Sequence, residues 1–504
     1  RGDLSRRRRS GDYWRTLLEA RYDGGGVVSL DPKLMEMLVY RQSPYYMMED
    51  TYERNAAFYA NADYTFDRRY SISASARYDG SNQLGRGAAK RWLPTWTFAG
   101  KWIISNEAFM ENASRIVDFM SLRASYGLTA NIPPSASNAM ALYYNQELYR
   151  PGNAEVGITL ADLQNTELTW EKNYQLNVGF DLTLFGGRLD FNVDYFNRQG
   201  FDLISQIKVA GIGGFMWKNA NYADLDSQGV DITLGGKMIS TKDWTWSAHF
   251  TFGYSKNIIR NAKNSPEVFE LVRQEGGNKN NYPVNSLFSI PFAGLNPETG
   301  IPMFYNEKGE IGYDCYMQGI ETDFLKYEGQ IDPKYTGGLN TTLRWKSLSM
   351  NLFFTFQAGN VIRLNPVFSS SYSDITALPN EFKDRWIMSG DEQRTDIPAI
   401  ADNLMQKLYL SSAYPYNNYN YSSARVAKGD FIRLKSLSIN YELPSALVRK
   451  SRVFKRAAVR LTAKDLWLMY SDKALNGQDP EFFNTGGVAM PVQTQFVLSL
   501  DLGF

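Results

Sequence analysis

One cysteine, Cys315, and one histidine, His249, stand in a chain of 504 residues. A single cysteine excludes an intramolecular disulfide framework and any multi-cysteine zinc site. A single histidine excludes His-pair metal motifs, so neither a metal nor a cofactor is expected. Net charge is also lacking. Lys+Arg 54 against Asp+Glu 53 leaves +1, which provides no global electrostatic footprint for nucleic acid. The run Arg6 to Arg9 is a local exception and reads as a solvated end. No run of about 18 apolar residues exists. That excludes a transmembrane helix but not a membrane barrel, whose strands carry only alternating hydrophobicity. The chain starts at Arg1 with no visible signal peptide, so its N-terminus reads as processed or truncated.

What is abundant is aromatic residue, 14% of the chain, and a period of two. In 491–504, PVQTQFVLSLDLGF, the residues Phe496, Leu498, Leu500, Leu502 and Phe504 share one face, and Gln495, Ser499, Asp501 and Gly503 the other. This is a strand with one apolar and one polar face. Its apolar face, ending on an aromatic residue, suits the strand that closes an outer-membrane barrel and signals its assembly. In 174–184, Tyr174, Leu176, Val178, Phe180, Leu182 and Leu184 alternate with Gln175, Asn177, Gly179, Asp181 and Thr183. Gly186-Gly187 then predicts a tight hairpin turn, and 189–195 returns with the same alternation. The pattern recurs in 56–66, 70–78, 244–254, 339–345 and 348–358. Its phase slips in 431–441 and around Lys464-Asp465, which predicts a β-bulge at each place.

Strands of about 10 residues cross a bilayer when tilted. Short turns at 67–69, 185–187, 241–242 and 346–347 alternate with long polar connections at 80–92, 130–169, 257–285, 307–333, 359–428 and 470–490. Short periplasmic turns opposite long extracellular loops are the habit of outer-membrane barrels. The expected fold is therefore all-β, a transmembrane antiparallel barrel in the bacterial outer membrane, in contact with its lipid. Residues 51–504 are expected to form it, and 1–50 a poorly defined segment with a possible short helix after Asp31-Pro32. About fifteen strands are expected, an odd number where single-chain bacterial barrels have an even one, so some strands are expected to lie outside this chain.

The stretch NTELTWEKNYQLNVGFDLTLFGGRLDFNVDYFNRQGFDLI, residues 165–204, resembles a signature of the SusC/RagA family of TonB-dependent outer-membrane transporters. There an "NPxLxWE" phrase precedes a strand, a tight turn and a "DYF/Y" strand. Further stretches resemble the same family in the same order, at 91–110, 122–132, 292–310, 333–360, 431–444 and 459–481. The resemblance, over roughly 50–504, implies the C-terminal portion of a 22-stranded, plugged barrel. It implies a SusD-like surface lipoprotein as lid and import of oligosaccharides or oligopeptides energised through TonB. No TonB box, plug domain or carboxypeptidase-like extension is found, so coupling to TonB would run through a plug region outside this chain. The alternative function is that of a SusC-like scaffold subunit in a larger outer-membrane machine for secretion or barrel assembly.

No catalytic set is expected, and the protein is not read as an enzyme. His249 sits mid-strand on the polar face, with no orienting partner evident for a general base. Cys315 has no electropositive neighbour to lower its pKa. Asp190 and Asp194 fit an ordinary polar face, and Gly211, Gly213 and Gly214 precede no helix. The binding candidates are loop aromatics. They are Tyr143, Tyr144 and Tyr149, then Phe215 and Trp217, and then Tyr414, Tyr416, Tyr419 and Tyr421 in SSAYPYNNYNYSSAR. Flat rings beside amide groups suit a sugar, a peptide or a protein lid; packing of the loops on one another is the plainer reading.

Overall fold

The computed structural model describes all residues except 1, 15–45, 133–140, 151–152, 163, 212–215, 370–371, 373–377, 379, 401–413, 445–447, 449–452, 483–491 and 504. For 2–14, 46–53, 141–150 and 153–162 it describes the backbone alone. Its strands are, in order, β1 (Gly2–Trp14), β2 (Tyr46–Phe66), β3 (Tyr70–Ser81), β4 (Trp92–Ile103), β5 (Val117–Asn131), β6 (Ala141–Arg150), β7 (Asn153–Asp162) and β8 (Glu171–Leu184). There follow β9 (Leu189–Lys208), β10 (Trp217–Ser240), β11 (Trp244–Arg260), β12 (Ser286–Ser289), β13 (Phe292–Leu295), β14 (Pro302–Tyr305), β15 (Ile311–Gly312) and β16 (Lys326–Gln330). The last are β17 (Tyr335–Trp345), β18 (Leu348–Ala358), β19 (Val361–Arg363), β20 (Val426–Lys428), β21 (Phe431–Glu442), β22 (Arg456–Ser471) and β23 (Gln495–Gly503).

One 14-stranded sheet takes β1 to β5, β8 to β11, β17, β18 and β21 to β23 in chain order, each pairing antiparallel with the next. This up-and-down order is a barrel wall. Among the described residues the wall has fourteen strands, where alternation led to an expectation of about fifteen. Two things changed the count. Residues 2–14 show no period of two, yet β1 pairs with β2 along its whole length. The connections expected at 257–285 and 307–333 are one excursion, 261–334, whose strands β12 to β16 lie outside the wall.

The register shows why alternation and wall coincide. One row across eight neighbouring strands reads Phe66, Tyr70, Trp102, Leu122, Phe180, Val193, Ile232, Phe252. The row one residue away reads Thr65, Ser71, Lys101, Arg123, Gly179, Asp194, Asp231, Gly253. A one-residue slip anywhere would exchange the faces, so the pattern pins every pairing. Phe66, Tyr70 and Leu122 stay exposed, as do Phe496, Leu498 and Leu500 on β23. Phe504 lies outside the described residues. Exposed apolar rows on a sheet this wide need lipid to cover them. Among the described residues no helix is long and apolar enough to cross a membrane.

Both expected bulges are present. The β18–β21 register shifts between Phe353 and Phe354, and the β21–β22 register between Leu434 and Ser436. Asp465 takes φ 50 there, and the Lys435 Nζ lies 2.9 Å from its carboxylate. The expected Gly-Gly turn also forms, with Gly186 at φ 67 and Gly187 at φ 72.

Candidate functional site: polar wall and folded loops

The polar face is built from hydroxyls, amides and charged side chains. Arg123 on β5 reaches Asp181 at 3.2 Å and Asp194 at 2.8 Å, and Ser121 donates to Asp181 at 2.9 Å. A Cβ on Gly179 would fall 2.6 Å from the Arg123 guanidinium carbon, so glycine there leaves room for this three-strand bridge. Asn351 donates to Asn340 and Thr342 at 2.6 and 2.8 Å. Asp190 accepts from Thr183 at 2.9 Å while Asp194 faces Arg123. The two carboxylates thus serve different partners and form no acid–base pair. His249 lines a small recess with Asp190, Asn340 and Thr342 on this face. Against β2 to β5 the wall holds a cleft of about 840 Å³, with Tyr59, Asn61, Arg77, Asp79, Thr97 and Asn131 among its lining.

The signature segment Asn165 to Glu171 is a latch beside that cleft. Gly85 and Arg86 donate backbone bonds to Leu168 and Thr166 at 2.8 and 3.1 Å. Trp170 donates from Nε1 to the Arg91 carbonyl at 3.1 Å and packs with Leu84 and Leu168. Asn221 on β10 receives the Thr169 N–H at 3.1 Å and donates to the Thr169 carbonyl at 3.0 Å. The segment joins the β3–β4 connection to β8 and β10, so its residue types serve architecture. Trp170→Phe keeps most of the buried ring but loses the indole bond, and is expected to cost about 1–2 kcal/mol. Urea unfolding in detergent would measure it; an unchanged midpoint would remove the latch from the account.

Two excursions, 261–334 and 359–430, fold into one module at the end of the wall opposite the short turns. Helix α1 (Val268–Val272), with Glu267 and Glu270 forming its capping box, and helix α2 (Pro415–Asn420), with proline in its first turn, both belong to it. Its core unites Leu271, Phe288, Phe304, Cys315, Phe368 and Tyr419. Arg363 on β19, 1% exposed, pins the two excursions together. It donates to the Ser422 carbonyl at 2.8 Å, the Phe288 carbonyl at 2.7 Å and Ser289 Oγ at 2.9 Å. Burial lowers its pKa to about 9, with the Glu328 carboxylate opposing, so it remains charged at neutral pH.

Cys315 is buried in the same core. Burial first, then Glu307 and Asp314, pushes its thiol up to about 12. At pH 8 only about one thiol in ten thousand is then ionised, and alkylation of the native protein is expected to wait on unfolding. A raised thiol pKa means that the folded state holds this proton more tightly. Its stabilisation is full below about pH 9 and is lost as pH climbs towards about 12. Rapid native labelling by iodoacetamide at pH 8 would contradict this.

The loop aromatics separate by environment. Tyr416 and Tyr419 are buried; Tyr416 donates to the Ala399 carbonyl at 2.5 Å, and Tyr419 packs edge-on against Phe292 and Phe368. These two are packing residues and offer no face to a ligand. Tyr421 packs edge-on with Phe269, whereas Tyr414 is exposed. Trp217 opens β10 as an exposed ring, with Lys208 Nζ 5.4 Å from its centroid. Tyr143, Tyr144 and Tyr149 lie on β6 of the separate β6–β7 hairpin, described as backbone only, and Phe215 lies outside the described residues. Arg363, Arg433 and Asp479, three of the most deeply buried polar side chains, escape a reading of alternation because each lies in or beside a short or irregular element. The phase slip beside Arg433 was the only signal.

Comparison with known proteins agrees with this geometry. The family described as TonB dependent receptor-like, beta-barrel matches residues 2–396. The chain is 27% identical over 440 residues to TonB-dependent receptor P3 of Formosa agariphila, covering 84% of this chain and 41% of that protein. It is 24% identical over 235 residues to TonB-dependent receptor SusC of Bacteroides thetaiotaomicron, covering 46% of this chain and 22% of that one. The structure of the RagAB peptide transporter superposes with a TM-score of 0.72 at 24% identity, covering 91% of this chain and 48% of the other. The chain thus spans less than half the length of these relatives.

Proposed function

This chain belongs to the TonB-dependent receptor-like β-barrel family, a family of outer-membrane proteins, and from that premise we propose that it forms the wall of an importer of nutrient oligomers. The substrates are oligosaccharides or oligopeptides, and the chain acts as the SusC-like channel of a two-component complex. A SusD-like lipoprotein is its surface partner, and TonB energises uptake through a plug region outside this chain. One observation carries the reading: an apolar outer row runs residue for residue beside an inner row of hydroxyls, charges and glycines. The inner row suits a hydrated oligomer, which exchanges hydrogen bonds with water for hydrogen bonds with the wall. The likeness to the RagAB peptide transporter and to SusC supports the same reading. Trp217, Tyr414 and Tyr421, with Tyr143, Tyr144, Tyr149 and Phe215, are the proposed contacts to substrate or lipoprotein. No catalytic step is assigned.

Deletion of the gene in its host tests the proposal, with growth measured on single oligosaccharides and on peptide pools as sole carbon source. Growth is expected to fail on one substrate class and to return on complementation, and the purified protein is expected to bring a surface lipoprotein with it. Unimpaired growth on every oligomer, with loss of secreted proteins instead, would favour the scaffold role and overturn import.

A further inference from the structure

The two short turns of the β10–β11 and β17–β18 hairpins lie side by side and are joined. Lys346 N–H donates to the Asp243 carbonyl at 2.8 Å, and Trp244 pairs with Trp345 across the strands. The two indoles stack with centroids 5.9 Å apart, and both remain exposed on the apolar face. Lys346 takes φ 50, and its Nζ stands 5.8 Å from the Trp345 centroid. Lys242 occupies the neighbouring turn. Both lysines are exposed, and neither shows an ion pair among the described residues. The nearby cations are otherwise engaged: Arg344 Nε donates to the Lys346 carbonyl at 3.0 Å, and Arg456 pairs with Glu442 at 2.9 Å. Asp243, between Lys242 and Trp244, is the one acidic side chain on the two turns and leaves them with a net positive charge.

Indoles settle at the level where acyl chains meet headgroups. Lys346, whose ammonium stands over the Trp345 ring, and Lys242, two residues before Trp244, are therefore placed near the depth of lipid phosphates. We propose that Lys242, Lys346, Trp244 and Trp345 form a binding site for an anionic phospholipid of the leaflet facing the periplasm. The lysines bracket the phosphate, and the indoles pack on the glycerol and the upper acyl chains. The inference rests on the family reading only for its orientation, which puts short turns at the periplasmic face; it requires no transport. The shared chemistry is phosphate recognition, and the indole pair assigns the source to a lipid rather than to free phosphate.

The test is native mass spectrometry of the intact protein in detergent, titrated with phosphatidylglycerol or with phosphatidylcholine. Each basic side chain near an anionic surface contributes a factor of about five, so Lys242→Gln with Lys346→Gln is expected to weaken phosphatidylglycerol binding about 25-fold. Phosphatidylcholine binding is expected to stay unchanged, as is the behaviour of Lys308→Gln, an exposed lysine of the loop module. Millimolar inorganic phosphate is expected not to displace the lipid. An unchanged preference for phosphatidylglycerol in the double variant, or displacement by inorganic phosphate, would overturn the site. If the double variant fails to insert, the wild-type protein still decides: its preference must collapse as salt rises, and a salt-independent preference refutes the proposal. Loss of the lipid site with uptake intact, or the converse, keeps this inference separable from the importer reading.

Discussion

Asp479→Ala is expected to cost about 3–5 kcal/mol, the range for stranding one member of a buried ion pair. Arg433 and Asp479 are ion-paired with side chains 3% and 1% exposed. The connection that follows β22 is held to the wall here. Asp472 accepts from the Ala474 N–H at 3.0 Å, Leu475 is fully buried, and the Asp479 carboxylate also accepts from the Glu481 N–H at 3.0 Å. Without Asp479 the guanidinium retains, among the described residues, Glu481 at 3.5 Å and 37% exposed and the Phe431 ring at 5.4 Å. A lower urea midpoint in detergent, with faster protease cleavage in 472–482, is the expected result. Arg433→Met combined with Asp479→Leu removes both charges and should recover most of the loss. A single Asp479→Ala within about 1 kcal/mol of wild type would mean that the pair holds nothing.

Leu498→Arg is expected to destabilise by about 2–4 kcal/mol if its site lies near the bilayer midplane. The side chain is 73% exposed and faces Leu461 across the strands. On a water-facing sheet the same exchange would stay within about 0.5 kcal/mol, so a single measurement separates lipid from water. The neighbouring change Ser499→Glu points to the other face, opposite Arg460. It should shift stability by under about 1 kcal/mol, in the favourable direction expected of opposite charges across a strand pair. Equal tolerance of both substitutions during folding into liposomes would sink the assignment of the outer face.

Much of this was legible because a barrel wall is a local code. Side-chain direction in a strand is set by parity, so Tyr174 to Leu184 declare their two faces without reference to any distant residue. The bulges at Lys435 and Asp465 were legible for the same reason, as breaks in parity. Strand β1 was not, because its central arginine run carries no alternation. Nor was the single excursion 261–334, whose FAGLNPETGIPMFY segment has strand-like composition. A strand that pairs within a loop obeys the same period as one in the wall, and only the partner distinguishes them.

The loop tyrosines show the other limit. Composition left 411–425 open between a binding surface and loops packed on one another; Tyr416 and Tyr419 are drawn into a core with Phe292 and Phe368, while Tyr414 a few residues away stays exposed. Their roles depend on what the distant 261–334 excursion places against them. Arg363 is the clearest case, since its three acceptors come from residues 288, 289 and 422. Alternation and turn placement determined, from sequence alone, a membrane wall of antiparallel strands. Which loops fuse, which charges are buried and which indoles stack beside free lysines were decided only by tertiary structure. The reason is physical: strand parity is a property of neighbours in the chain, whereas burial and pairing are properties of neighbours in space.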